Sequence, residues 1–416
     1  MIQHRDGRIF HNDMAVAKST ADLYVTSSNT ALELKLVRKP EDLEDDSCTF
    51  KPEMTHQVFG DSETIFGYRD LKIKLYYTAA SLMTYLGVTY TEKVDASRFD
   101  LEADDVMGQV SKVIQPGYKT NLDDFRNDLP KDASFVPYGE LLHSFSVDAE
   151  DNSTRTFEVY QCDIKTPGFT SYHERLQTFI LWYIDAASFI DIDDERWRFF
   201  LCFEKYKGDG ENRYAITGYA TVYEYYAYPL NMRPRIGQML ILPPFQRRGL
   251  GCQLLSAIYQ YYIPSPNVID ITVESPSDEF QRLRDYVDVK SCSEIVESTP
   301  ELLKEGYSKK LEEAFSKLKL SKRQMRRVYE ILRLKFTNTE DVNDYKQYRL
   351  EVKKRLNIPY QKEKADLKKL RKILSENEYQ ATLNVVSPEL RMENLDREYR
   401  ELEAQYKNVL EHLSLH

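Results

Sequence analysis

Apolar and polar positions change texture three times along this chain. From Lys51 to about Leu141 the apolar residues come in short runs separated by turn formers, which predicts a mixture of short strands and helices. Within it, Tyr76 to Tyr85 has few breakers and many helix formers, and reads as a helix. From about Phe157 the runs lengthen: Thr178 to Ile190 reads as a helix, and Arg198 to Tyr206 and Tyr214 to Tyr226 as strands joined by the turn Lys207–Glu211. Ile236 to Leu242 reads as a further strand, Cys252 to Tyr262 as a helix, and Val268 to Val273 as a buried strand after Pro264 and Pro266. From about Glu301 the chain turns to Lys/Arg-rich helices poor in glycine. The last opens at Ser387-Pro388-Glu389, a capping serine with proline in the first turn. Met392, Leu395, Tyr399, Leu402, Tyr406, Leu410 and Leu413 then recur at steps of three or four as one apolar stripe. The stripe covers little more than about three heptads, so docking within the chain is expected before a coiled-coil dimer. The expected class is mixed α/β: residues 1–20 polar and disordered, an N-terminal mixed domain over 21–150, a second α/β domain over 157–295 and a helical extension over 300–416.

The 416 residues suffice for two or three domains, each with its own core. No run of about 18 apolar residues occurs, and Met1 to Gly7 contains no apolar signal core, which sets the expectation of a soluble intracellular protein without a membrane role. The five cysteines (48, 162, 202, 252 and 292) include no Cys-x-x-Cys pair, so no disulfide framework, and no metal site, is expected. A formal net charge of −10 disfavours a general nucleic-acid role and permits a basic partner. Glu41 to Ser47 reads as a charged, solvated loop.

The strand ending near Leu242 empties into Pro243-Pro244-Phe245-Gln246-Arg247-Arg248-Gly249-Leu250-Gly251, and a helix follows directly. Glycines there reach backbone angles closed to other residues, and the first amides of the helix, lacking partners within it, point at an anion such as a pyrophosphate. A P-loop would need Lys-Ser/Thr where Leu250 stands, and a dinucleotide fingerprint would need a glycine at Leu254. What remains is Gln246-x-x-Gly249-x-Gly251, which matches the acetyl-coenzyme A motif Gln/Arg-x-x-Gly-x-Gly/Ala of the GNAT N-acetyltransferases. The alternative is a strand-to-helix turn without a ligand. Glu274 closes the strand Val268–Val273, and strand, helix and strand here make a right-handed crossover, so Glu274 is expected at the carboxyl-end crevice where such sheets bind ligands. The bland alternative is a carboxylate capping the helix after Pro276.

The stretches Thr55–Asp61, Phe66–Tyr77, Trp182–Trp197, Phe203–Tyr206, Gly218–Tyr223 and Arg233–Arg235 resemble one family, the catalytic subunits of the type B histone acetyltransferases, over roughly the first 290 residues. The order helix, three strands, turn, helix in the second domain is that of a GNAT core. The resemblance implies acetyl transfer from acetyl-CoA, by direct attack in a ternary complex, to lysines in the N-terminal tail of newly made, free histone H4. It implies Glu274 as general base, in a partly desolvated cleft, with Asp185 as a supporting carboxylate where family members often carry glutamate. Met239, Leu240 and Ile241 would pair with the pantetheine arm, and Gln246, Arg247, Arg248, Gly249, Leu250, Gly251 and Cys252 would hold the pyrophosphate, the two arginines adding charge. Asp61, Ser62, Glu63, Trp197, Tyr223, Glu224 and Tyr225 would receive the lysine- and glycine-rich tail, rings attracting its cations. With 30 tyrosines in the chain, most are packing residues. The resemblance further implies a WD-repeat histone-binding partner and residence in cytoplasm and nucleus. The basic stretch Lys304–Lys335 offers a face to nucleic acid or an acidic histone chaperone, or is a solvated helix face. Two rival readings stand: an acetyltransferase for another amine, and a histone-binding scaffold without catalysis.

Overall fold

Strand pairing in the first part of the chain is set by aromatic and β-branched residues rather than by local helix propensity. In the computed structural model, residues 22–95, 101–148, 153–298, 301–304, 306–370 and 388–415 are described, so the expectations for residues 1–20 and for the Ser387 cap lie outside them. The chain divides into two compact units, residues 1–225 with 236–258, and residues 226–235 with 259–416.

In the first unit, β1 (Leu32–Val37), β2 (Thr49–Phe50), β3 (Lys72–Thr78) and β4 (Thr84–Thr89) form a sheet of order β2-β1-β3-β4. β1 and β3 run parallel and the other pairs antiparallel. Its core holds Leu32, Leu34, Ile73, Leu75 and Leu86, all fully buried. The segment Tyr76–Tyr85, read above as a helix, is instead the end of β3, a tight turn and the start of β4. Tyr76 faces Tyr85 and Tyr77 faces Thr84 across the ladder, residue types that suit a pleated surface. The Asp132 carboxylate accepts the Ala80 and Ser81 amides at 2.8 and 3.1 Å, and Leu82 turns the chain at φ 59°. These distant partners outweigh the helix propensity of Ala79-Ala80-Ser81-Leu82-Met83.

The larger sheet follows with β5 (Glu140–Asp148), β6 (Thr154–Cys162), β7 (Trp197–Gly208), β8 (Glu211–Ala227) and β9 (Asn231–Ile241), in that spatial order. β7 and β8 are joined where the turn was expected, with Asp209 and Gly210 both at positive φ, the geometry that matches strand twist in a two-residue hairpin. Before β7 lie α1 (Phe169–Leu176) and α2 (Ile180–Tyr183). Helix therefore stops at Tyr183, not at Ile190: Ile184 is extended, Ala186 has φ 53°, and the Ala187 and Ser188 carbonyls accept side-chain donors from Gln57 and Gln238. α3 (Leu250–Tyr262) follows the turn after β9.

In the second unit, Met232 of β9 bridges in parallel to Val268, and β10 (Thr272–Val273) follows. α4 (Asp278–Ser298), α5 (Lys322–Lys335), α6 (Val342–Leu356) and α7 (Pro388–Leu415) then enclose a core that includes Val289, Phe315, Val328, Leu332 and Val352. The stripe on α7 joins it through Tyr399 and Tyr406, with Leu402, Leu410 and Leu413 partly buried against it; Leu395 is buried as well, while Met392 is exposed. The basic residues of α5 are not simply solvated: Arg326 meets Glu330 and Glu351, Arg327 meets Asp285, and Arg333 meets Asp344. No helix among the described residues is long and apolar enough to cross a membrane.

Candidate active site

The turn after β9 has the backbone that its glycines predict. Gly249 sits at φ 79°, and a Cβ built there would meet nothing within 4 Å, so the positive angle and not crowding is what calls for glycine. Gln253 N–H donates to Gly249 O at 3.2 Å, which makes Gly249 the cap of α3 and leaves the Leu250 and Gly251 amides without an acceptor inside the helix. Arg247 also has positive φ, 62°, an unusual angle for a residue with a side chain. Arg247 and Arg248 are exposed, whereas Leu250 is buried and anchors the turn. Gln246 braces it from the other side, its Nε2 donating to Ile241 O at 2.8 Å. Cys252 is half-buried in the first turn of α3.

Met239, Leu240 and Ile241 form the end of β9, with Leu240 buried and its neighbours half-buried. Gly218 on β8 permits that strand's approach, since a Cβ there would stand 2.5 Å from Leu240 O.

A cleft of about 370 Å³ lies in the same unit, lined by Met54, His56, Asp61, Glu63 and Asp185. It brings together three carboxylates that the sequence analysis singled out. They are not equivalent. Glu63 Oε1 accepts the Thr55 and His56 amides at 2.6 and 3.1 Å, and Oε2 accepts Asn29 Nδ2 at 2.7 Å. These bonds, Thr55 first, hold its carboxyl below the usual range, so Glu63 is built into the wall as an anion. Asp61 is exposed, beside a turn closed by Glu63 N–H on Gly60 O, and Ser62 Oγ lies 2.9 Å from Thr64 Oγ1. Asp185 follows α2, its side chain 77% exposed, with Oδ1 3.2 Å from His56 Nε2.

The aromatic positions form a second group on β7 and β8. Trp197 and Tyr223 pack edge to face at 5.0 Å, as do Tyr223 and Tyr225 at 4.6 Å, and Tyr225 is exposed. Tyr223 OH donates to Asp194 Oδ2 at 2.8 Å, and the Arg196 guanidinium lies 4.9 Å from the Tyr223 ring centre. Bonds from Arg196, then Tyr223, push the Asp194 carboxyl well below the usual range. Burial and the bond to Asp194 raise the Tyr223 phenol. Glu224 is paired with Arg198 at 3.0 Å, so it supports the strand edge rather than presenting free charge.

In the second unit Glu274 stands just past β10, followed by Ser275 at φ 31°. Its side chain is 52% exposed and Oε2 accepts Arg235 Nη1 at 2.6 Å, while Arg235 Nε faces Thr272 Oγ1 at 3.4 Å. Its surroundings are thus a solvent-reached ion pair, not the partly desolvated pocket expected for it. Sequence reasoning assigned no role to Arg235, His56, Asp194 or Gln238. Arg235 and His56 stand inside the family-like stretches, but their partners are distant in sequence and no spacing rule points to them.

Two family models match the chain: one described as "Histone acetyl transferase HAT1 N-terminus" over residues 24–185, and one as "Histone acetyltransferase type B catalytic subunit, C-terminal" over residues 284–334. Proteins named histone acetyltransferase type B catalytic subunit from Rattus norvegicus and Homo sapiens are each 48% identical over 402 residues, 96% of this chain and 96% of theirs. One of the same name from Mycosarcoma maydis is 32% identical over 399 residues, 88% of this chain and 87% of that one. Among solved structures, an aminoglycoside acetyltransferase from an uncultured soil metagenomic sample is 15% identical and covers 31% of this chain and 83% of its own, with a TM-score of 0.23.

Proposed function

The chain belongs to the family of histone acetyltransferase type B catalytic subunits, and from that premise we propose that it transfers acetyl from acetyl-CoA to lysine ε-amines in the N-terminal tail of free histone H4. The observation that carries the cosubstrate assignment is the turn of Gln246 to Gly251. Gly249 caps α3 at positive φ and directs the first amides of the helix, with Arg247 and Arg248 exposed beside them, toward an anion. A pyrophosphate suits that arrangement, and the backbone of Met239, Leu240 and Ile241 would pair with the pantetheine arm.

The chemistry needs a proton acceptor. With a reference pKa near 10.4, only about one lysine in a few thousand is a free amine at neutral pH, a deficit of roughly 4 to 5 kcal/mol. In this reading Glu274 takes the proton directly or through a water, which its exposure permits, and the Arg235 guanidinium keeps the carboxylate in place. The amine then attacks the thioester carbonyl in a ternary complex, and the coenzyme A thiolate leaves. Asp185 and Asp61 give the arriving ammonium a field of opposite sign, while Trp197, Tyr223 and Tyr225 supply ring faces and edges for a glycine-rich backbone. A WD-repeat histone-binding partner, histone chaperones, and residence in both cytoplasm and nucleus belong to the same proposal.

The test is mass spectrometry of an H4 tail peptide, with a small polyamine alongside, after incubation with the purified protein and acetyl-CoA. Acetylated tail lysines with unmodified polyamine are expected. Modified polyamine would move the substrate to another amine, and peptide binding without product would replace the enzyme with a scaffold.

A further inference from the structure

The turn that carries Asp185 is held from two sides. Gln57 Nε2 donates to Ala187 O at 2.8 Å, and Gln238 Nε2, from the strand assigned to the pantetheine arm, donates to Ser188 O at 3.0 Å. The backbone is therefore fixed between the acidic cleft and the cosubstrate strand. The Asp185 side chain is another matter, since it is 77% exposed and a carboxylate on a solvent-facing turn samples several rotamers unless something holds it. His56 is the side chain placed to do so, with Nε2 at 3.2 Å from Asp185 Oδ1.

His56 is itself held. Its amide donates to Glu63 Oε1 at 3.1 Å and Nδ1 lies 3.8 Å from the same oxygen, while Glu63 is pinned by Thr55 and Asn29. Asn29, Thr55 and Glu63 thus form a rigid base, and His56 transmits that rigidity to a carboxylate of the cleft wall that would otherwise swing. Nε2 and Oδ1 stand at ion-pair distance, and a carboxylate can only accept, so Nε2 is the ring nitrogen through which His56 can hold Asp185.

We propose that His56 is a positioning residue for acetyl transfer: its Nε2–H fixes the Asp185 carboxylate so that it meets the substrate ammonium in one orientation. This rests on the reading above that Asp185 supports the reaction. A fixed anion stabilises the arriving charge without first paying the entropy of ordering its own side chain.

The experiment is a double-mutant cycle on the full chain, with His56→Ala, Asp185→Asn and the two combined, measuring kcat, KM for H4 peptide, KM for acetyl-CoA and thermal midpoint. Each single change should lower kcat about tenfold with the acetyl-CoA KM and the midpoint unchanged, and the combined variant should be no slower than the slower single one. His56→Gln, which keeps a donor near the Nε2 position, should recover part of the loss. Multiplying losses, a glutamine variant as slow as the alanine one, or a loss that tracks a lowered midpoint would each overturn the proposal. Wild-type turnover in Asp185→Asn would overturn it by removing the supporting role of Asp185, whereas the acetyltransferase reading itself stands or falls on product formation and on Glu274→Gln.

Discussion

Arg235 Nη1 and Glu274 Oε2 lie 2.6 Å apart, two residues that the chain separates by one helix and brings back to neighbouring strands. The pair orients a carboxylate at a strand end without removing it from water. If Glu274 is the base, Glu274→Gln keeps the shape and an acceptor for Arg235 while abolishing basicity. Turnover on H4 peptide should fall about a hundredfold or more, with acetyl-CoA affinity by calorimetry unchanged. Undiminished turnover would transfer the role to another group, with Asp185 first to be tested.

Gly249 tests the cosubstrate turn. Its Cβ position is open space, so Gly249→Ala introduces no clash and acts through the positive φ alone, a cost of about 1 to 2 kcal/mol. If the turn relaxes to avoid that cost, the Leu250 and Gly251 amides lose their aim. The KM for acetyl-CoA should rise several-fold, while a peptide-binding assay without cosubstrate should not change. An unaltered KM would count against anion binding at this turn.

The two helices that the fold replaces and the two turns rich in glycine show which information is local. Gln246, Gly249 and Gly251 are neighbours in sequence whose spacing acts through the backbone between them, and Asp209-Gly210 likewise encodes its own hairpin. Tyr76 to Tyr85 was misread because the forces that shape it come from elsewhere: the ladder with β1 and β4, and the Asp132 carboxylate some fifty residues on. Helix ends at Tyr183 for a similar reason, since Gln57 and Gln238 hold the Ala187 and Ser188 carbonyls in a turn whose Ala186 has positive φ. His56 and Asp185 each stood in a family-like stretch, but their meeting across 129 positions is a tertiary fact with no imprint on periodicity or spacing.

His173 predicts a pH dependence of stability. It is fully buried, neither ring nitrogen has a hydrogen-bond partner in the fold, and Phe169, Phe199 and Tyr219 surround it. Burial pushes its pKa down to about 3, against about 6.5 in the unfolded chain. Between these values the unfolded state binds the extra proton, so stability falls as pH falls through that window and is unaffected above it. From pH 6.5 to 5 the loss is roughly 2 kcal/mol from this residue. Urea unfolding at both pH values should show His173→Leu with a smaller acid loss than the parent by about that amount. Equal acid losses would mean that His173 is solvated or partnered in solution.

The second unit buries a shared carboxylate at Glu330. Its side chain is 2% exposed, yet it accepts Arg355 Nε and Nη2 at 2.6 and 2.8 Å, Arg326 Nε at 3.2 Å and the Tyr406 hydroxyl at 2.9 Å. Tyr406 lies on α7, Arg355 on α6 and Glu330 with Arg326 on α5, so one carboxylate ties three helices that the apolar core already brings together. Such a buried cluster adds little over apolar residues of the same volume, but removing Glu330 takes the carboxylate away from the Arg355 guanidinium and the Tyr406 hydroxyl, while Arg326 keeps Glu351. Glu330→Ala should therefore destabilise this unit by about 3 to 5 kcal/mol, far more than the loss of an exposed ion pair such as Lys369–Asp366. Tyr406→Phe removes one neutral donor while leaving both arginines paired, and should cost only about 1 kcal/mol. Thermal unfolding of the two variants should separate them clearly. Similar small losses for both would mean that water enters the cluster and that packing alone fastens α7 to the helices beside it.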